Sequence, residues 1–259
     1  MLSTLILILF SSNPALAWDQ RPNSPITACA DELPFGVPTG GPANSTLECR
    51  EGYALQHDNA AKIAAWAAWT LPPEETIGCN PREDAFTADA DLLKGSRAEP
   101  SDYARSGYDK GHMVPDADMS WSKQTSLESF LMSNMSPQLP NLNRGAWKLL
   151  EAQTRAWAWS RKHALTIYDG NIYNVGTSKT IGDDKVVVPE SLFKIIIDDV
   201  TGEVLAFQFP NIDKQPTDLK PRLTSSPRSR SSPVSSFRCH LVTTRPLSLL
   251  TSGRAARPR

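Results

Sequence analysis

Tyr108-Asp109-Lys110-Gly111-His112-Met113-Val114-Pro115, followed by Ser133-Asn134-Met135-Ser136-Pro137-Gln138 and Asn141-Leu142-Asn143-Arg144-Gly145-Ala146-Trp147, decides how this chain folds and where its chemistry lies. The first segment reads as a polar, glycine-containing strand end that delivers a histidine. The next two carry asparagines. From Pro140 onward a helix is predicted, with Asn141 or Asn143 as its cap and Trp147, Leu150, Trp157 and the intervening alanines as its apolar stripe, as far as about Lys162. A lone histidine is more often a satisfied structural residue than a catalyst, so His112 gains meaning from the asparagines around it.

Upstream, Ala60 to Leu71 leaves two readings open. Its alanines favour helix, whereas Trp66 and Trp69 ahead of Pro72-Pro73 suit a core strand, and the apolar period does not separate the two. Residues 72–107 are turn-rich, punctuated by Pro72, Pro73, Pro81, Gly95, Pro100 and Gly107. Downstream, strands are predicted at Leu165–Tyr168, Ile172–Val175, Lys185–Val188, Leu192–Ile197 and Val204–Phe209, with turns at Asp169-Gly170 and Thr201-Gly202. The last two strands make a hairpin. Strands joined by hairpins, with helices segregated from them, define an α+β class with a central antiparallel sheet flanked by helices.

The ends of the chain differ from its body. Leu5–Phe10 is apolar and precedes Pro14 and Ala15-Leu16-Ala17, so residues 1–17 read as an export signal cleaved before Trp18; a buried N-terminal strand is the alternative. The run is too short to span a membrane. The expected product is secreted or periplasmic, without stable membrane association. At the other end, residues 222–259 hold eight Arg and no Lys, Asp or Glu, and removing them from the net charge of −1 leaves −9 on residues 1–221. So acidic a body does not announce a nucleic-acid binder; a polyanion would need a local cationic patch and a metal ion. Ser, Arg and Pro dominate from Pro221, which places a domain at 18–221 and an aberrant, disordered tail at 222–259. A shifted reading frame or an authentic basic tail would produce that change. Of the four cysteines, Cys29 and Cys49 bracket a Pro/Gly/Asn-rich loop and are expected to pair, with free buried thiols as the alternative.

With His112, Asn134, Asn143, Glu151 and Arg155 in this order, the chain resembles the DNA/RNA nonspecific endonucleases with a ββα-metal motif, marked by Asp-Arg-Gly-His, an Asn-x-x-Pro-Gln stretch and a helix carrying Asn and Glu. The resemblance reaches back through Arg82-x-x-x-Phe86 and Asp102-Tyr103. It runs forward to Val188-Pro189, Phe193-Lys194 and Leu205-Ala206-Phe207, covering about residues 45–212. It implies a phosphodiester hydrolase acting on DNA and RNA and leaving 5′-phosphates. His112 would be the general base and Asn143 the direct ligand of one Mg²⁺, with Mn²⁺ as a substitute. Glu151 would orient metal-bound waters and Asn134 the His112 ring. Arg82 and Arg155 would hold the scissile phosphate.

The chemistry fits those residue types. An anionic diester must be neutralised while water is activated and the alkoxide stabilised, tasks for a divalent ion and a near-neutral imidazole. Hard oxygen ligands suit Mg²⁺, and four histidines without ligand spacing exclude a histidine-rich zinc phosphoesterase. On one straight α-helix Asn143 and Glu151 would be about 12 Å apart along the axis, so Glu151 should act through water. The plainer readings are Asn143 as a cap and Glu151/Arg155 as a surface pair. Lys110 departs from the family's Arg: it keeps a phosphate-facing charge without the planar fork. A catalytically impaired nucleic-acid-binding module of the same fold is the competing functional reading.

Overall fold

The computed structural model describes residues 26–214 and the backbone of 248–249. The leader 1–17, Cys239 and most of the 222–259 tail lie outside the described residues. In chain order the strands are β1 (Pro38–Thr39), β2 (Ser45–Cys49), β3 (Ala54–Asp58), β4 (Ile63–Leu71), β5 (Asp109–His112), β6 (Met135–Gln138), β7 (Leu165–Ile172), β8 (Thr180–Ile181), β9 (Val186–Val187), β10 (Ser191–Asp198), β11 (Val204–Pro210) and β12 (Ser248–Leu249). Among the described residues three α-helices accompany them: α1 (Asp116–Met119), α2 (Lys123–Ser129) and α3 (Lys148–Arg161). No helix among the described residues is long and apolar enough to cross a membrane.

Six strands form one sheet in the order β11-β10-β7-β4-β3-β2, every neighbour antiparallel. Side chains alternate across it, as a period of two requires. Leu71, Trp69 and Ala67 of β4, Leu165 and Ile167 of β7, and Leu192 and Ile196 of β10 share one core with Trp147 and Leu150. Trp66 and Ala68, Tyr168 and Ile172, and Phe193, Ile195 and Ile197 form the opposite core with Leu33 and Cys29. The segment is therefore strand from Ile63 on, after a turn at 59–62: its alanines thin a sheet packed on both faces, and Trp66 and Trp69 point to opposite sides. The predicted hairpin of β10 and β11 is present, with Ile197 opposite Val204.

Asp169-Gly170 is not a turn. Both residues lie inside β7, where a Cβ on Gly170 would meet the Phe193 ring at 2.1 Å and the Ala65 carbonyl at 2.9 Å. Glycine serves close approach here, not chain reversal. The predicted strand at Ile172–Val175 is absorbed, since β7 ends at Ile172, and the one at Lys185–Val188 shortens to β9, paired with β8. Cys29 and Cys49 are disulfide-bonded, Cα atoms 5.2 Å apart. That bond ties the Leu33-Phe35-Val37 segment over the second core. In the tail, the backbone of Ser248–Leu249 pairs with Pro38–Thr39.

Candidate active site

β5 and β6 pair antiparallel with His112 opposite Met135, and the chain then enters a helix, so a ββα unit is built beside the sheet. Gly111 sits against Gln138, whose side chain a Cβ would meet at 2.3 Å. Packed this closely, Gln138 Nε2 and Trp147 Nε1 both donate to the His112 carbonyl, at 3.4 and 3.3 Å. The strand end is thereby fixed through its backbone.

His112 is 9% exposed, and its ring meets Phe130 edge-on at 5.0 Å and Phe86 at 5.8 Å. Its Nε2 has no hydrogen-bond partner among the described residues. Burial, reinforced by the Arg82 charge, pushes the imidazole down to about 3, so it is neutral. The cations gather on the same aromatics: Arg82 Cζ lies 4.9 Å from the Phe130 ring centre and Lys110 Nζ 5.0 Å from that of Phe86. Arg82, half-exposed, also pairs with Asp84 at 2.9 Å and approaches Asp116 at 3.8 Å.

Asn134 is fully buried and acts on the backbone, not on the His112 ring. Its Oδ1 accepts from Val114 N at 3.0 Å, and its Nδ2 donates to the carbonyls of Val114 at 2.9 Å and Ser129 at 2.8 Å. Its role is to clamp the chain two residues beyond the histidine.

The predicted single helix is two pieces. Leu142–Trp147 form a π-helical turn, and Gly145 (φ −107°, ψ −107°) breaks it from the regular α3. The straight-helix spacing between Asn143 and Glu151 consequently does not apply. Asn141 makes no side-chain capping bond, and Asn143 is inside the turn with its Nδ2 donating to Asp109 Oδ2 at 2.9 Å. This directs the other end of the Asn143 amide, a hard oxygen, elsewhere. π-turns recur at functional sites.

Glu151 is half-buried in the first turn of α3, among Lys194, Asp118, Arg155 and Asp169. Burial pushes its carboxyl up to about 8; a cation alongside would return it to carboxylate. Arg155 pairs with Asp118 at 2.8 Å, so the Glu151/Arg155 surface pair is not formed. Asn143 and Glu151 offer the hard oxygen donors that suit a hydrated hard cation.

The sequence reading overlooked Asp109, Phe130, Asp118 and Trp147, which hold the named residues in place. Asp109 adjoins Lys110 in the motif and could have been found there; the other three carried no local signal. A separate acidic group, Glu48, Asp89 and Asp91, brings one carboxylate oxygen each within 4.8 Å. It could hold a metal ion, yet Arg50 already reaches all three, at 3.2, 2.6 and 2.6 Å. It shares no residue with the His112 site.

The sequence profile of the family described as DNA/RNA non-specific endonuclease matches residues 35–243. The chain belongs to this family. DNA/RNA non-specific endonucleases are phosphodiester-hydrolysing enzymes, and the match runs beyond Pro221 into the tail. The chain is 32% identical to human mitochondrial endonuclease G over 186 residues, covering 66% of this chain and 62% of that protein. It is 30% identical to a nuclease from Nostoc sp. over 208 residues, covering 75% and 72% respectively. In fold it matches the solved EndoG/EndoGI complex with a TM-score of 0.66 at 23% identity, over 76% of this chain and 86% of that one.

Proposed function

We propose that this family member is an exported, Mg²⁺-dependent endonuclease that cuts DNA and RNA with little sequence preference and leaves 5′-phosphates. The observation that carries this is the neutral, buried His112, with its Nε2 unpartnered and Arg82 close by. His112 Nε2 takes the proton of the attacking water. Its carbonyl, gripped by Gln138 and Trp147, and Asn134's hold on Val114 keep the ring in register for that transfer. Arg82 and Lys110 draw the phosphate towards His112, and Arg155 adds charge from the Asp118 side. Asn143 and Glu151 would hold Mg²⁺, or Mn²⁺ in its place, which when bound stabilises charge on the phosphate and leaving oxygen. Incoming phosphate raises the His112 pKa from its low value and eases proton acceptance as the reaction proceeds.

Export rests on the Leu5–Phe10 run and Ala15-Leu16-Ala17, and the Cys29–Cys49 bond supports it because disulfides persist in oxidising compartments. We assign the catalytic domain to 18–221 and treat 222–259 as dispensable. Purified protein beginning at Trp18 should nick supercoiled plasmid and degrade RNA with Mg²⁺, stop with EDTA, and behave alike when 222–259 are deleted. Binding without cleavage would favour the impaired module.

A further inference from the structure

Lys194, in the middle of β10, is 1% exposed. A buried ammonium costs several kcal/mol unless it is closely compensated, and an apolar residue of its length would fill the space at least as stably. What compensates it is specific. Its Nζ lies 2.5 Å from Oδ2 of Asp169, its cross-strand neighbour on β7, and between two indoles, 4.8 Å from the Trp69 ring centre and 4.7 Å from that of Trp147. Asp169 Oδ1 has no hydrogen-bond partner among the described residues, so among them this carboxylate answers Lys194 alone.

Both indoles reach out to the site. Trp147 Nε1 donates to the His112 carbonyl at 3.3 Å. Trp69 Nε1 donates to Asp118 Oδ2 at 3.1 Å, and Asp118 Oδ1 takes Arg155 Nη1 at 2.8 Å. A cation attracts the faces of both rings and so fixes their planes, which an apolar filler cannot do. With the planes fixed, both N–H directions are fixed.

We propose that Lys194 is a positioning residue for hydrolysis: clamped by Asp169 and two tryptophans, it sets His112 and Arg155 relative to each other from inside the core. This rests on the reading of His112 and Arg155 given above. It gives a role to a lysine buried in the core of the sheet.

The test uses Lys194→Met with Asp169→Asn, so that neither partner is left charged alone, together with Trp147→Phe, which keeps an aromatic face and removes the N–H along with one ring of the indole. Both are compared with His112→Ala in plasmid nicking at saturating Mg²⁺. Expected for each is kcat lower by about 10²-fold with KM for DNA within a factor of about two, since small misplacement of catalytic groups acts on the chemical step. Adding Trp147→Phe to the double variant should cost little more, because the arm is already released. A folded double variant or a folded Trp147→Phe protein cutting at the parental kcat overturns the proposal. Should the double variant fail to fold, Trp147→Phe alone decides. If His112→Ala itself cuts normally, the reading of the active site falls first. If His112→Ala is inactive and the Lys194 and Trp147 variants are normal, only this inference falls.

Discussion

Asn143 Nδ2 donates to Asp109 Oδ2 at 2.9 Å, so a residue of the first β-strand of the ββα unit sets which end of the Asn143 amide is offered to a cation. Arg144 grips the same carboxylate at 2.8 and 2.6 Å and, with Asn143, lowers its pKa against the opposing effect of burial. Asp109→Ala frees the amide to flip. It should raise the Mg²⁺ concentration for half-maximal rate by about tenfold, and Asn143→Ala by more, as is usual for supporting and direct ligands respectively. Metal titrations of nicking rate check this, and an unchanged Asp109→Ala midpoint would refute it.

His112→Ala should lose about 10² to 10⁴ in rate while staying folded. The pH dependence carries a sign. Burial and Arg82 lower the His112 pKa, so the acid limb of kcat/KM should lie below the ordinary histidine value of 6.5. Arg82→Gln removes the positive charge, and the limb should move to higher pH. A limb that stays put or moves down in that variant rules out Arg82 as the neighbour that matters.

Lys110 keeps a charge over Phe86 at 5.0 Å and Tyr103 at 5.9 Å but offers no fork. Lys110→Arg should lower KM for DNA roughly threefold to tenfold, since two parallel charged hydrogen bonds replace one point charge. Steady-state kinetics at fixed ionic strength decide it, with no gain or a worse KM counting against the phosphate role.

Glu48 is 2% exposed, and burial with the nearby Asp89 pushes its carboxyl up to about 8 from the usual 4.5. The folded chain holds this proton where the unfolded chain has released it. Its stabilising contribution is therefore complete below 4.5 and is lost as pH rises through 8. Glu48→Gln stays neutral throughout, so its Tm relative to the parent should rise by about 3 °C or more between pH 5 and 9. A pH-independent difference would show that Glu48 is ionised in the fold.

The ββα unit was legible where it is written in one dimension. Asp109–His112 is a strand end as its polarity implies, and a helix carries Glu151. Sequence was mute where tertiary demand overrides local habit. Asp169-Gly170 has the composition of a turn, yet Asp169 answers Lys194 and Gly170 makes room for Phe193, both on the neighbouring strand. Asn141 and Asn143 look alike as caps, and only the approach of Asp109 separates them. Trp147 reads as ordinary core, because an indole N–H aimed at a carbonyl leaves no trace in hydropathy.

The disulfide lies on the far side of the sheet from all of this. Trp69, Trp147 and Lys194 belong to one face, while Cys29–Cys49 fastens the covering of the other. Such a staple confines the unfolded chain and adds about 3 kcal/mol without reaching the His112 site. Reductant should thus shrink the share of molecules that are assembled at warm temperature, while each one still assembled turns over at its full rate.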